Sequence, residues 1–236
     1  MKCFQIHEQC LKIKKLPEWL LPFTQEIAPI LLSNVKTIFE PGLVNKIVEA
    51  YQRNPWVKKV KQVTAKYPNI ILSTLSLRKP VAFVNFNEKY YLIGEDGVFL
   101  PVVYTNLKDV TLPVIAGIEE EIPSAGYSCK DAALHRTLMV LSFLSNKGIW
   151  QKLSVQRLSI ESFPKCPSKI LVMVLRNNMR IIWGNITDPL YVSLSQQEKN
   201  LHKLIPFLSE QASIQQNREV DLRFGYNILK IRDHRK

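Results

Sequence analysis

Residues 54–77 limit the fold of this chain most tightly. Asn54-Pro55 ends whatever helix precedes it, because a residue before proline is pushed out of helical geometry. Two extended runs follow, Val57–Tyr67 and Ile70–Leu77, parted by a Pro68-Asn69 turn. Upstream, Val44, Ile47, Val48 and Tyr51 recur at i, i+3, i+4 and i+7, the apolar stripe of a core-facing helix. Pro41 is placed to open that helix at its first position, where a missing N–H costs nothing. Ser33–Phe39 is a short strand candidate before it, with Val35, Thr37 and Phe39 on one face. Strand, helix, strand, strand within about 45 residues makes a compact α+β unit with one helix over a small sheet.

After Pro80 the pattern changes to hairpins. Val81–Phe86 and Lys89–Ile93 read as paired strands, and an Asp96-Gly97 turn leads to Val98–Leu100. Leu112-Pro113 through Gly117 reads as a loop crossing. Ser128-Cys-Lys-Asp131 has capping-box form and predicts a helix carrying Leu134, Leu138 and Leu141, ending near Gly148. Leu153–Ile160, Ile170–Leu175 and Arg180–Trp183 read as strands, with an Asn177-Asn178 turn between the last two. Ile170–Leu175 is apolar without alternation and so is expected to be buried on both faces. A second capping box, Ser195-Gln-Gln-Glu198, opens a helix with Leu201, Leu204, Ile205 and Leu208. The final strand sets Val220, Leu222 and Phe224 on one face and Asp221 and Arg223 on the other. A turn at Gly225-Tyr-Asn227 then leads to Leu229 and Ile231.

Composition narrows the function. The chain has 236 residues, 46% hydrophobic and 22% charged, an ordinary globular balance that argues against wholesale disorder. Its net charge of +12 suits an acidic partner, anionic headgroups or nucleic acid. The cations are spread out, with modest clusters at Lys58–Lys66 and Lys230–Lys236, and the aromatic and glycine interleaving of a single-strand-binding platform is missing. Cys3, Cys10, Cys129 and Cys166 lie too far apart for a zinc site and are too few for a disulfide framework. Free buried thiols fit them best, with a Cys3–Cys10 or Cys129–Cys166 bridge as the alternative. The most apolar stretch, Trp19–Leu32, is interrupted by Thr24, Gln25 and Glu26 and broken by Pro22 and Pro29, short of the ~20 residues of a membrane-spanning helix. Gln5, His7, Glu8 and Gln9 occupy the place of a signal peptide's apolar core.

Catalytic signatures are missing as well. Gly94 and Gly97 are close together but belong to a hairpin turn rather than a phosphate-cradling loop. His7, His135, His202 and His234 show no metal-ligand spacing. Ser-x-x-Lys occurs at Ser33–Lys36 and Ser162–Lys165, yet that acyl-transfer geometry needs a helix. The first site lies in a β-leaning run and the second carries Pro164. No enzyme, cofactor or metal centre is expected.

Several segments, in order, resemble the extracytoplasmic part of the bacterial division protein family FtsQ/DivIB. Asn54-Pro-Trp-Val57 and Tyr67-Pro68 lead into Arg78-Lys-Pro-Val-Ala82, similar to that family's Glu-Arg-x-Pro-Val-Ala joint. Tyr91-Leu-Ile-Gly-Glu-Asp-Gly-Val-Phe-Leu100 is similar to its hairpin, and Leu112-Pro-Val-Ile-Ala-Gly117 to its Leu-Pro-x-Leu-x-Gly segment. Glu198-Lys199 with Leu201 and Leu204 fits the late helix, and Val220-Asp-Leu-Arg-Phe224 the terminal strand. The match covers residues 33–232. It departs in three ways. Leu77 stands where the family has Glu, the run after Trp56 is one residue long and suggests a β-bulge, and the family's N-terminal anchor helix has no counterpart in the run of residues given.

The resemblance implies an α+β protein with a lead segment at 1–32, a POTRA-like domain at 33–79, and a mixed, mostly antiparallel β domain with flanking helices at 80–236. It implies a scaffold on the extracytoplasmic (periplasmic) side of the inner membrane that recruits coiled-coil division proteins of the FtsB/FtsL kind to the septum. Strand addition to an open final strand is the expected means, with Arg223 and Phe224 as contact positions and Tyr226 beside them. Arg78, Pro80 and Ala82 are expected to form a rigid elbow at the domain joint. Neither a small-molecule substrate nor nucleic acid is expected. The alternatives are a POTRA-bearing envelope assembly or secretion factor, a basic nucleic-acid-binding domain and an acyl-transfer enzyme.

Overall fold

The computed structural model describes residues 11–13, 17–19, 37–107, 112–163, 166–186, 199, 218–222 and 232–233. The chain divides into two compact units. One comprises Met1–Pro80 with Val98–Val102 and Pro123–Ser128, and the other Val81–Gly97, Val103–Ile122 and Cys129–Lys236.

In the first unit a helix, α1 (Leu43–Arg53), packs on a three-stranded sheet of β1 (Leu11–Ile13), β2 (Val57–Lys66) and β3 (Ile70–Leu77), in the order β1-β3-β2. The lead segment thus supplies a strand, parallel to β3. The helix starts later than the sequence suggests. Gly42, in left-handed geometry, is its N-cap, and Pro41 lies before it. The buried stripe is Leu43, Ile47 and Tyr51, spaced four residues apart, and Val44 faces solvent. Starting the stripe at Leu43 rather than Val44 rotates the buried arc by about 100° per residue. Of the Ser33–Phe39 strand candidate, residues 33–36 lie outside the described residues, and Ile38 and Phe39 form a turn.

The two extended runs become β2 and β3, paired antiparallel. Val57 faces Leu77 and Lys59 faces Ser76, and then Val60 faces Leu75 and Gln62 faces Thr74. Twice, at Lys58 and again at Lys61, β2 advances two residues while β3 advances one. Where one extra residue was expected, there are two β-bulges. They explain a pattern that fits neither strand nor helix, for Val57, Val60 and Val63 recur every third residue. All three contribute to the core with Leu43, Ile47, Tyr51 and Ile71.

A nine-stranded sheet runs β12-β11-β10-β9-β8-β7-β4-β5-β6. Its strands are β4 (Pro80–Phe86), β5 (Lys89–Gly94), β6 (Phe99–Tyr104), β7 (Val114–Ala116), β8 (Val155–Phe163), β9 (Cys166–Leu175), β10 (Arg180–Asn185), β11 (Arg218–Asp221) and β12 (Arg232–Asp233). Asn87 and Glu88, both at positive φ, form the two-residue turn between β4 and β5. The segment expected to be a loop crossing is a strand. β7 lies between β4 and β8, parallel to both. It is too short to show periodicity, so the sequence shows only its proline and glycine. Gly117 ends it because a Cβ there would sit 1.9 Å from the Ile160 carbonyl oxygen.

The helix α2 (Ala132–Asn146) buries Leu134, Leu138 and Leu141 as expected. Asp131, not Ser128, caps it, with one carboxylate oxygen accepting from the Ala133 and Leu134 N–H groups at 2.6 and 3.1 Å. A short helix, α3 (Ile149–Leu153), not anticipated from the sequence, follows Gly148. In β9 the residues from Ile170 to Leu175 are all buried, four of them at 4% exposure or less before Val174. The second capping box and the helix read across 195–208 lie outside the described residues, apart from Lys199. The α+β class expected from the sequence is the class observed.

Candidate partner-binding surface

The chain's tail closes one end of the large sheet. β11 runs parallel to β10, with Arg180 opposite Glu219 and Ile181 opposite Val220, and the Leu222 N–H donates to the Ile182 carbonyl at 3.0 Å. Val220 and Leu222 are buried, as alternation predicts. Asp221, on the opposite face of the strand, is only 9% exposed, so that side is covered as well. β12 then pairs antiparallel with β11, Arg218 opposite Asp233 and Glu219 opposite Arg232. The strand expected to border the sheet is therefore one place in, and β12 is the outermost strand described at this end. The two paired segments are too short for either run to announce the pairing in the sequence.

An ion-pair lock fixes β11 onto the sheet. Arg180 donates to Glu161 at 2.7 Å and to Glu219 at 3.3 Å, joining β8, β10 and β11. Burial works against the guanidinium charge, but the two carboxylates outweigh it and hold its pKa above the ordinary value. Sequence reasoning missed this group, since its members lie 19 and 39 residues apart and no local pattern relates them. Arg223, Phe224 and Tyr226, the expected contact positions, lie outside the described residues. Leu222, the last described residue before them, lies beside β10.

Of the expected joint residues, Arg78 has the clearest geometry. One of its terminal nitrogens donates to the carbonyls of Pro55 and Val57, both at 2.7 Å, and its backbone N–H donates to Trp56 at 2.8 Å. Arg78 thus clamps the Asn54-Pro-Trp-Val turn, where Asn54 caps α1 and its side-chain oxygen accepts from the Trp56 N–H at 2.9 Å. Trp56 is fully buried. Pro80 starts β4, and Ala82 within it is fully buried. Each residue has a structural task of its own.

The second unit also contains a cleft of about 510 Å³, lined among others by Asn85, Tyr90, Arg157, Arg176 and Asn178. Its described lining holds no carboxylate, histidine, cysteine or serine, so nothing there pairs a nucleophile with a base. Cys129 is free and buried, and burial pushes its thiol pKa up, away from reactivity. Among the described residues no three His, Cys, Asp or Glu side chains converge as a metal site would require. None of the described helices is long and apolar enough to cross a membrane.

Comparison with known proteins points to bacterial cell division. The chain is 32% identical over 105 residues to the cell division protein FtsQ of Geotalea daltonii, which is 44% of this chain and 37% of that relative. It is 31% identical over 105 residues to the cell division protein FtsQ of a Geobacter species (strain M21), with the same shares. The match spans little more than a third of the length of these curated relatives. No family model matches. The major extracytoplasmic domain of the division protein DivIB from Geobacillus stearothermophilus, in its trans isomer, aligns at 10% identity with a TM-score of 0.37, over 60% of this chain and 99% of that domain. The resemblance to the FtsQ/DivIB family read from the ordered motifs is borne out by the curated relatives.

Proposed function

We propose that this protein is a non-enzymatic cell-division scaffold that acts on the extracytoplasmic side of the inner membrane and binds coiled-coil division proteins of the FtsB/FtsL kind. The similarity to two FtsQ proteins carries the reading. The lead at 1–32, a POTRA-like part at 33–79 and a β domain at 80–236 are its proposed divisions, with Arg78, Pro80 and Ala82 stiffening the joint.

Partner capture is assigned to the tail. A strand at the end of a sheet can extend the ladder with a partner's backbone, and side chains beside it supply selectivity. With β12 outside β11, the partner strand would add beyond β12, and Arg223, Phe224 and Tyr226 would flank it. The Arg180 lock supports this, because a sheet end that receives a new strand must itself be held.

Titration of an FtsB/FtsL-type coiled-coil peptide onto the wild type and onto Phe224→Glu tests the assignment. Binding should be lost while the melting profile stays unchanged. Equal affinity in the variant removes Phe224 from the site, and no binding by the wild type removes the reading.

A further inference from the structure

We propose that the outer face of the three-stranded sheet, built on the doubly bulged strand β2, docks on an anionic phospholipid surface. This inference goes beyond the proposed function and does not depend on it.

The sheet has two faces of opposite character. Val57, Val60, Val63, Ile71, Leu75 and Leu77 face the helix. The register therefore turns Lys59, Gln62, Thr64 and Lys66 of β2 outward, opposite Ser76, Thr74, Leu72 and Ile70 of β3. Lys12 of β1, opposite Leu72, is exposed too. At each bulge two consecutive residues face one on the partner strand, so β2 offers Lys58 with Lys59, then Lys61 with Gln62. All four are exposed. A regular strand of this length would alternate and present fewer cations to one side.

Carboxylates are missing from the stretch of sequence that carries the β2 lysines. Between Glu49 and Glu88 the chain has Arg53, Lys58, Lys59, Lys61, Lys66, Arg78 and Lys79 but no Asp or Glu. Lys59, Lys61 and Lys66 enter no ion pair among the described residues. An excess of positive charge on one face favours a partner that supplies many anions at once. At the end of the strand Tyr67 is 75% exposed. A tyrosine there has the amphipathic character of side chains that settle at headgroup level. Lysines sharing a face with the Thr64, Thr74 and Ser76 hydroxyls, with one aromatic at the strand's end, fit a layer of phosphates. A nucleic-acid platform would space its aromatics along the face to stack bases.

Co-sedimentation with vesicles tests this, using phosphatidylcholine alone and phosphatidylcholine mixed with phosphatidylglycerol. The wild type should bind the anionic vesicles and not the neutral ones. The triple variant Lys59→Glu, Lys61→Glu, Lys66→Glu should lose about a hundredfold or more in binding, since each cation near an anionic surface contributes roughly fivefold and each new carboxylate is repelled. Its melting profile should match the wild type, because the three side chains are exposed. If charge reversal disturbs folding, the corresponding Lys→Gln variants should still weaken binding by roughly the same factor per lysine. Lysines and bulges on an edge strand also guard against stray strand pairing, and that role alone predicts no preference for anionic vesicles. Equal binding to both vesicle types, full binding by the variants, or retention on a single-stranded oligonucleotide in place of vesicles would each overturn the proposal.

Discussion

β2 and β9 are each ten residues long, and they solve opposite problems. β9 lies between β8 and β10, pairs antiparallel with both, and carries an uninterrupted apolar run. β2 has one described neighbour, four lysines and two bulges, and it contributes three valines to the core. A central strand must be apolar on both faces because each is covered. A strand at the end of the described sheet can keep its valines inward while extra residues bulge out between them. Hydrophobic spacing alone therefore does not define a strand. A period of two signals one covered face, and no period signals two. A period of three is a period of two with an extra residue at each repeat.

The largest effect is expected where β9 is most confined. Val172→Asp places a carboxylate at a fully buried position between two strands, and a loss of roughly 4 kcal/mol or more should leave little folded protein in urea titrations. Lys59→Asp in β2 should stay within about 0.5 kcal/mol, since an exposed site resolvates the charge. If the two variants proved equally damaging, the contrast between the strands would be wrong.

Arg78→Ala comes next. It removes two hydrogen bonds from a charged donor to the Pro55 and Val57 carbonyls, and should cost about 2 kcal/mol in chemical denaturation. No measurable loss would mean that the clamp is redundant with the backbone hydrogen bond from Arg78 to Trp56.

Deleting a residue sharpens the comparison further. Removing Lys61 leaves Val60, Gln62 and Val63 in regular alternation against Leu75, Thr74 and Ser73, so both valines still face the helix. The cost should be about 1 kcal/mol or less. Removing Met173 from β9 shifts the rest of that strand against both neighbours, and the variant should fail to fold. A thermal melt of the Lys61 deletion that matched the Met173 deletion would refute the bulge account.

The smallest effect is on pH dependence. Burial raises the Tyr51 hydroxyl above its ordinary 10.0, partly offset by the neighbouring Ser73 hydroxyl, and raises the Cys129 thiol above 9.0. In alkali the unfolded chain ionises these groups before the folded chain does. Their contribution to stability is therefore whole below about pH 9 and erodes as the pH rises above it. Melting temperature should fall gently across that range, and Tyr51→Phe should flatten the fall. A variant as steep as the wild type would show that Tyr51 is not a source of it.

Most of the regular elements were legible because they are local. α1, α2, β2 to β5 and β9 follow from apolar spacing, prolines and turn residues within a short window. Errors of one to three residues came at helix starts. There Gly42 and Asp131 took positions that Pro41 and Ser128 also suit, since several residue types satisfy a free N–H end. β7 and β12 were not legible, because a strand of two or three residues is defined by its neighbours. The candidate site was legible in part, for Val220 and Leu222 alternate as read, but the strand beyond them and the Arg180 lock depend on distant pairings.

The sequence by itself determined the class of the fold, the identity of its apolar strands, and the ordered motifs that tie it to division proteins. Tertiary structure alone decided which strand ends the large sheet, which residues of β2 bulge, and that Asp221 is buried. The reason is physical. Propensity and periodicity act between residues a few positions apart, whereas strand order and the placement of buried charge are settled only when distant segments meet and each backbone group finds its partner.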